Sequence, residues 1–214
     1  MVPNLAALLR LILVTDEALL RGRDLVPLCR DAVRGGVTCV ELRLKQASPR
    51  ALLESARSLI GSLEVPVLVN DRLDVALAAG AAGVHLGPDD LPVSLARKLV
   101  PQGFVIGASV GTPDEIAAGR GADYWGVGPW RMTPTKADAG AGLGPSGFRA
   151  IVAAATGIPC VAIGGVSPED VAEVRAAGGV GVAVVSGILA VSDVAAAARR
   201  YRLADPPPPL TVDR

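Results

Sequence analysis

The chain has 214 residues, with 21 Lys and Arg balanced by 21 Asp and Glu, and this balance excludes a global attraction to nucleic acid or to an anionic membrane. Half of the residues are hydrophobic but only 3% are aromatic, so the core must consist of Ala, Val, Leu and Ile. This composition favours an α/β fold, and a length near the lower limit of about 200 residues for a (β/α)₈ barrel leaves no room for a second domain.

The N-terminus is apolar up to residue 14, which is also typical of a signal peptide. Arg10 interrupts the run, however, and no A-x-A-like cleavage site follows, so we expect a strand of the mature protein there. Cys29, Cys39 and Cys160 lie far apart in apolar runs, which indicates buried thiols. Since no other stretch approaches the roughly 18 apolar residues of a membrane span, we expect a soluble, cytoplasmic protein.

Short apolar runs with β-branched residues alternate with longer segments of helical periodicity, a pattern typical of parallel β/α units. The predicted strands cover residues 11–15, 38–44, 67–70, 83–86, 105–108, 124–127, 160–163 and 181–185. The predicted helices cover residues 24–35, 49–62, 73–79, 91–100, 113–119, 146–155, 168–177 and 191–200.

This order predicts a single-domain TIM (β/α)₈ barrel over residues 1–203, followed by an extended or disordered proline-rich tail, 204–214. A doubly wound sheet is the alternative. It is less favoured because every connection is short and helical and no Gly-x-Gly-x-x-Gly follows the first strand.

Several predicted strands end in polar residues, where a barrel carries its chemistry. The second strand carries Glu41, Arg43 and Lys45 at every second position, so the alternation of side chains predicts all three on one face. If that face is the barrel interior, the two cations need an anion to compensate for their desolvation. An exposed, salt-bridged strand end remains the alternative.

Two neighbouring strands are followed by acidic residues. Asp71 ends the third strand, and Asp89 and Asp90 follow the fourth. Two carboxylates together with phosphate oxygens and water form an octahedral Mg²⁺ site, although such residues are also common in turns and helix caps. The sequence alone does not decide which of Asp89 and Asp90 would bind the metal.

Two further regions suggest phosphate binding. The loop after the sixth strand has about 17 residues, and loops of more than about 12–15 residues in a compact domain are usually functional. Gly164-Gly165 ends the seventh strand and Ser186-Gly187 ends the eighth. Barrels often bind phosphate between these two loops, through backbone N–H groups and a short extra helix. His85, the one histidine, is more consistent with a hydrogen-bonded core residue than with a catalyst, and a Ser-His-Asp triad is not expected.

Seven short motifs follow one another at these strand ends. They are Glu41-x-Arg43-x-Lys45, Asn70-Asp71-Arg72, Val84-His85-Leu86-Gly87 followed by Asp90, Gly107-Ala108-Ser109, Gly128-Pro129 through Thr133-Pro134-Thr135-Lys136, Ile163-Gly164-Gly165 and Val185-Ser186. As a set, they resemble the signature of the thiamine-phosphate synthase family over about residues 11–190.

The resemblance implies an enzyme that joins the two halves of thiamine. Hydroxymethylpyrimidine diphosphate would lose pyrophosphate, and the ring nitrogen of thiazole phosphate would take its carbon. It also implies roles for individual residues. Mg²⁺ would bind Asp71 and Asp90; Arg43, Lys45, Asn70 and Lys136 would surround the diphosphate; Ser109 would lie near the pyrimidine; and Thr133, Thr135, Gly164 or Gly165, Val185 and Ser186 would hold the thiazole phosphate.

Two positions depart from the family pattern. Glu41 stands where the family usually has Gln, and Gly111 stands two residues after Ser109, where the family often has His. A carboxylate at position 41 would still hydrogen-bond the amino group of the pyrimidine, but it would repel the diphosphate if it pointed that way.

Three other functions remain open. A thiazole tautomerase of the same family shares the fold but uses a histidine at the position of Gly111. An isomerase of amino-acid biosynthesis would need Asp16 and Glu41 for proton transfer. A non-catalytic binder of phosphorylated ligands would keep the pocket alone. The Ala- and Leu-rich helical faces also allow a homodimer.

Overall fold

The computed structural model describes residues 4–205, except residue 21 and residues 133–141. In these residues eight parallel strands close into a barrel in chain order, and the last strand pairs with the first. The strands are β1 (Leu11–Val14), β2 (Cys39–Leu42), β3 (Val67–Asn70), β4 (Gly83–Leu86), β5 (Val105–Val110), β6 (Tyr124–Val127), β7 (Cys160–Ile163) and β8 (Gly181–Val184). The TIM barrel predicted from the sequence is confirmed.

The first helix precedes β1, and the other helices follow the strands on the outside of the barrel. They are α1 (Leu5–Leu8), α2 (Glu17–Leu20), α3 (Leu25–Arg34), α4 (Pro49–Ile60), α5 (Leu73–Ala79), α6 (Val93–Leu99), α7 (Pro113–Ala118), α8 (Gly144–Ala154), α9 (Val171–Ala176), α10 (Ser186–Leu189) and α11 (Val194–Ala204). A 3₁₀ turn, Pro168–Asp170, precedes α9, so the helix predicted over 168–177 has two parts. None of the described helices is long and apolar enough to cross a membrane.

Two helices begin at caps that the sequence predicts. Ser48 accepts a hydrogen bond from the Ala51 amide at 3.3 Å, and Pro49 occupies the first turn of α4. Thr112 and Glu115 form a capping box at the start of α7. The four-residue helices α1, α2 and α10 were not predicted, because they are too short to show a helical period.

The barrel separates two apolar layers. Val40 and Leu42 of β2 belong to the larger layer, between the strands and the helices, whereas Cys39 belongs to the smaller cluster that fills the barrel. Alternation along β2 therefore places Glu41 on the inner face, where it is 4% exposed. Of the two alternatives considered for the charged face of this strand, the barrel interior and an exposed strand end, Glu41 takes the interior.

The three thiols are buried, as the sequence predicted. Burial raises the pKa of Cys29 to about 12 and that of Cys160 to about 11. A thiol with such a pKa stays protonated at neutral pH and is a poor nucleophile or metal ligand. The three cysteines therefore contribute to the packing of the core.

A buried ionic cluster joins the two ends of the described chain at the amino-terminal end of the barrel. Asp205, which follows α11, is 8% exposed. Its Oδ2 accepts a hydrogen bond from Arg10 Nε at 2.7 Å and lies 3.6 Å from Arg202 Nη1, while its Oδ1 lies 3.4 Å from Arg175 Nε. Asp205 thus links the start of β1 to α9 and α11, two residues beyond the predicted barrel boundary at 203.

We expect Asp205→Asn to lower the free energy of unfolding by about 1–3 kcal/mol, because it leaves clustered guanidinium groups without their buried counter-charge. Urea denaturation measures the loss. Asp31→Asn is the matched control, since it removes an exposed ion pair with Arg34 and should change stability by about 0.5 kcal/mol at most. Equal effects of the two substitutions would show that the Asp205 cluster stabilises nothing beyond a surface pair.

Candidate functional site

The carboxyl ends of the strands meet at one rim of the barrel, and the site is built there. The first contact joins the ends of β1 and β2. Thr15 is fully buried; its Oγ1 donates to the Arg43 carbonyl at 3.1 Å and accepts from the Arg43 amide at 2.8 Å. Arg43 follows β2 instead of lying within it, because the strand ends at Leu42. Its main chain is therefore fixed by a neighbouring strand.

The Arg43 guanidinium is also held. Its Nη1 donates to Asp16 Oδ2 at 3.0 Å, and the two side chains are only 20% and 17% exposed. Asp16 is fixed in turn, since its Oδ1 accepts from the Leu19 amide at 3.3 Å at the start of α2. A cation is therefore held at the rim in a defined orientation.

Lys45, Asn70 and Asp71 line one cavity of about 130 Å³ between the ends of β2 and β3. Lys45 Nζ lies 3.2 Å from Asp71 Oδ2, and the Lys45 side chain is 49% exposed. Lys45 and Asn70, predicted to surround the diphosphate, are thus neighbours of Asp71, a predicted Mg²⁺ ligand. A larger groove of about 500 Å³ lies between α3 and α4 and contains none of the predicted site residues.

The carboxylates of Asp71 and Asp90 interact across the ends of β3 and β4. Burial raises the pKa of Asp90, and the Asp71 carboxylate raises it further, against the hydrogen bond from the Gly87 amide and the charge of Lys45, which lower it. The Gly87 amide donates to Asp90 Oδ2 at 2.7 Å. Asp89 is exposed, so Asp90 is the residue of this pair that turns toward Asp71.

The fit of these groups to a divalent cation rests on their chemistry. In the described part of the chain, no group of three or more His, Cys, Asp or Glu side chains forms a complete metal site. Two mutually repelling carboxylates beside an anion-binding cavity nevertheless suit a hard cation that completes its coordination with phosphate oxygens and water. Asp71 and Asp90 therefore fit Mg²⁺ only together with a phosphorylated ligand.

Inside the rim, His85 connects Tyr124 to Ser109. His85 Nδ1 lies 2.9 Å from Tyr124 Oη and His85 Nε2 lies 3.0 Å from Ser109 Oγ. Burial, reinforced by Glu41 and Cys39, holds the pKa of Tyr124 well above its usual value, so its hydroxyl stays protonated. The expectation that His85 is a hydrogen-bonded core residue is confirmed, although its partner Ser109 is itself a predicted site residue.

The Gly164-Gly165 turn after β7 is held against the chain that follows β6. Both residues have positive φ, 88° and 70°, which glycine adopts without strain. The Trp130 amide donates to the Ile163 carbonyl at 2.8 Å, and the Arg131 amide donates to the Gly164 carbonyl at 2.9 Å. These bonds extend the pairing of β6 and β7 beyond the rim.

Arg131 strengthens this link through both terminal nitrogens, which donate to Asp170. Burial acts to raise the pKa of Asp170, but the hydrogen bonds from Arg131 and Ser167 outweigh it and hold the pKa below the usual value. Asp170 remains ionised at neutral pH as a result. The loop that leaves β6 is thereby anchored to the predicted phosphate-binding turn.

Val185 and Ser186 lie after β8, next to the end of β7, and Ser186 begins α10. Arg23 was not singled out in the sequence, yet it donates to the carbonyls of Leu19 and Leu20 in α2 and of Leu189 and Val191 at the end of α10. A single side chain therefore joins these two short helices. Thr133, Thr135 and Lys136 lie outside the described residues.

Tyr124, Arg131 and Asp170 were also not predicted as members of the site, and Asp16 was considered only for proton transfer in the alternative isomerase. Asp16 did have a detectable signal, since it stands at a strand end, but nothing in the sequence pairs it with Arg43. Tyr124 is an aromatic residue in a strand, which indicates core packing and nothing more. Arg131 and Asp170 are 39 residues apart, and only the fold brings them together.

Gly111 has no room for a side chain in this arrangement. A Cβ at this position would lie 2.4 Å from the Gly128 carbonyl oxygen, and the Gly111 amide donates to Glu115 Oε2 at 2.5 Å. A histidine here would require the backbone of one of these segments to move. The geometry therefore disfavours the tautomerase arrangement considered from the sequence.

Comparison with known proteins gives a consistent result. The profile of the family described as thiamine monophosphate synthase matches residues 11–188. The thiamine-phosphate synthase of Methanoculleus marisnigri is 48% identical over 197 residues, which cover 90% of this chain and 93% of the relative. That of Xanthobacter autotrophicus is 49% identical over 201 residues, which cover 92% and 95%.

Solved structures agree with this result. Thiamine phosphate pyrophosphorylase from Pyrococcus furiosus superimposes with a TM-score of 0.82 at 37% identity, over 94% of this chain and 97% of that one. Phosphoribosyl anthranilate isomerase from Thermotoga maritima gives 0.69 at 19% identity, over 92% and 98%. The second likeness, at 19% identity, shows a shared fold alone.

We expect the imidazole of His85 to exist as one tautomer, because its nitrogens contact two unlike hydroxyls and the Tyr124 phenol is a stronger donor than the Ser109 alcohol. Tyr124→Phe should produce a mixture of tautomers, visible in ¹⁵N chemical shifts that belong to His85 alone, since the chain has one histidine. Tyr201→Phe is the matched control, because it removes another buried hydroxyl, which donates to the Val166 carbonyl at 2.9 Å. Identical spectra for wild type and Tyr124→Phe would show that Tyr124 does not orient the ring.

Proposed function

The chain belongs to the thiamine monophosphate synthase family, and we propose that it condenses hydroxymethylpyrimidine diphosphate with thiazole phosphate in a Mg²⁺-dependent reaction. The products are thiamine phosphate and pyrophosphate, which makes the enzyme a transferase. The resemblance of its strand-end motifs to this family is confirmed by the comparisons.

The observation that carries the proposal is the cavity that joins Lys45, Asn70 and Asp71, with Asp90 beside it. The cavity of about 130 Å³ combines a cation, an amide and one carboxylate, and the second carboxylate, that of Asp90, interacts with Asp71. A diphosphate and a divalent cation require these groups together, because each alone would leave the charge of the other uncompensated.

The reaction requires charge stabilisation more than proton transfer. The bond between the pyrimidine methylene carbon and the diphosphate oxygen breaks, and a bond from that carbon to the thiazole nitrogen forms. Negative charge develops on the departing pyrophosphate, whereas the thiazolium product carries a positive charge. No proton moves in the balanced equation, so a site without a general base suffices.

The residues at the rim suit this distribution of charge. Arg43 and Lys45 would bind the departing pyrophosphate, and Asn70 would donate to a phosphate oxygen. Bound by Asp71 and Asp90, Mg²⁺ would supply further positive charge next to the leaving group. Lys136 stays a sequence-based prediction for the same role.

Ser109 would contact the pyrimidine. Its Oγ is held by His85 at 3.0 Å, so the hydroxyl reaches the substrate in a restricted orientation. Glu41 would accept a hydrogen bond from the amino group of the pyrimidine at the inner face of β2. Its negative charge would also favour positive charge on the pyrimidine as pyrophosphate leaves.

The thiazole phosphate would bind where β7 and β8 end. Gly164 and Gly165 would approach it closely because neither carries a side chain, and Val185 and Ser186 would contribute from the next strand. Thr133 and Thr135 are assigned to the same phosphate from the resemblance. A cytoplasmic location and a homodimer remain predictions from the sequence.

Pyrophosphate release tests substrates, metal and reaction together. We expect release from hydroxymethylpyrimidine diphosphate only when thiazole phosphate and Mg²⁺ are both present, with thiamine phosphate formed in equal amount. A chelator should stop the reaction and excess Mg²⁺ should restore it. Tight binding of both substrates without any product would refute the synthase and leave the binder, whereas isomerisation of a thiazole phosphate would indicate the tautomerase.

We expect Asp71→Asn to lower kcat by at least about 100-fold while the protein remains folded, because the cation loses a charged ligand beside the leaving group. The dependence of the rate on Mg²⁺ concentration checks the cause, since weaker binding shifts it to higher concentrations. Asp74→Asn is the matched control; it removes a nearby exposed carboxylate that pairs with Arg72. A fully active Asp71→Asn enzyme would remove Asp71 from the metal site.

A further inference from the structure

The family motifs assign no role to Asp16, but Asp16 contacts Arg43, to which they assign diphosphate binding. We propose that Asp16 is a positioning residue that orients the Arg43 guanidinium toward the diphosphate; this rests on the proposed function. The supporting geometry is the 3.0 Å contact from Arg43 Nη1 to Asp16 Oδ2, sheltered at the rim of the barrel.

Asp16 has the rigidity that orientation requires. Its Oδ1 accepts from the Leu19 amide at 3.3 Å, and its carbonyl accepts from the Leu19 and Leu20 amides, both at 3.1 Å, so the residue is the cap of α2. The other end of α2 is held by Arg23, which binds the Leu19 and Leu20 carbonyls. Both carboxylate oxygens of Asp16 are thus engaged within the protein.

Thr15 completes the arrangement from the preceding position. It fixes the amide and the carbonyl of Arg43 through one hydroxyl, while Asp16 fixes the guanidinium. Since a free arginine side chain carries about 2 kcal/mol of rotamer entropy, fixing both ends lowers the cost of binding an anion. Asp16 uses Nη1 alone, and the guanidinium has further N–H groups for phosphate oxygens.

The opposite effect of Asp16 is also physically reasonable. A carboxylate next to Arg43 partly neutralises the cation, so it would weaken attraction to a diphosphate if neutralisation outweighed orientation. A third role is purely structural, through the α2 cap. Asp16→Asn separates these roles, because asparagine caps a helix about as well as aspartate but carries no charge.

The experiment is a double-mutant cycle on Asp16 and Arg43. Wild type, Asp16→Asn, Arg43→Gln and the double variant are compared by kcat and by KM for each substrate. Asp31→Asn is the control, since it breaks another Asp–Arg pair, on the exposed face of α3. Calorimetry with inorganic pyrophosphate and Mg²⁺ measures anion binding separately from turnover.

We expect Asp16→Asn to lower kcat/KM for the pyrimidine diphosphate roughly 10-fold, and to change KM for thiazole phosphate by no more than about twofold. In the Arg43→Gln background the same substitution should have no further effect, because Asp16 acts through Arg43. Binding of pyrophosphate should weaken in parallel in Asp16→Asn and be unchanged in Asp31→Asn.

Several results would overturn the inference. Losses that multiply in the double variant would mean that Asp16 acts independently of Arg43, and tighter pyrophosphate binding by Asp16→Asn would mean that it only neutralises the cation. Wild-type kinetics for Asp16→Asn would exclude any role in the reaction. Failure of the proposed function itself is distinguishable, because wild type would then release no pyrophosphate, while calorimetry still measures the coupling of Asp16 and Arg43.

Discussion

Closure of the barrel is the constraint on which the remaining features depend. The pairing of β8 with β1, which sets Leu11 beside Val182 and Leu13 beside Val184, makes one continuous sheet without a free edge. All strands run parallel, so their carboxyl ends share a rim, and residues more than 100 apart in the chain become neighbours there. Asp16 follows the first strand and caps α2, Ser186 follows the last strand and begins α10, and Arg23 joins these two helices. The ionic cluster at Asp205 supports closure at the opposite end of the barrel.

Charge at the rim is largely balanced within the protein. Arg43 has Asp16, Lys45 has Asp71, and Arg131 has Asp170. These pairs differ in what a ligand can do to them. Lys45 is 49% exposed, and in the proposed reaction it would exchange Asp71 for a phosphate oxygen when Asp71 binds a cation. Asp170 is almost completely buried, so its pair with Arg131 is a fixed support of the predicted phosphate-binding turn.

The sequence predicted the barrel well because its signal is local. Each strand was a short apolar run followed by a segment of helical periodicity, and the count of eight such units predicted the barrel. Contacts across the rim were harder to predict, because they depend on register and on where each strand ends. Arg43 illustrates this point: the prediction placed it within the second strand, but the strand ends at Leu42, so its orientation is determined by Thr15 and Asp16. The helix α10 is too short to leave a periodic pattern, although a phosphate site at this place was expected.

The contacts that orient the Ser109 hydroxyl lie in the barrel interior and could not be predicted from the sequence. His85 and Tyr124 occupy space that two glycines leave open, since a Cβ at Gly107 would lie 2.3 Å from Tyr124 Cζ and one at Gly126 would lie 2.9 Å from His85 Cε1. A barrel core of aliphatic residues would have filled this volume without polar atoms. The tyrosine and histidine instead form a chain of hydrogen bonds that ends at Ser109. Because an unpaired polar group in a buried place is costly, burial favours the one arrangement in which all three side chains are paired. Orientation of a site hydroxyl is thus a property of the core, as orientation of Arg43 is a property of the rim.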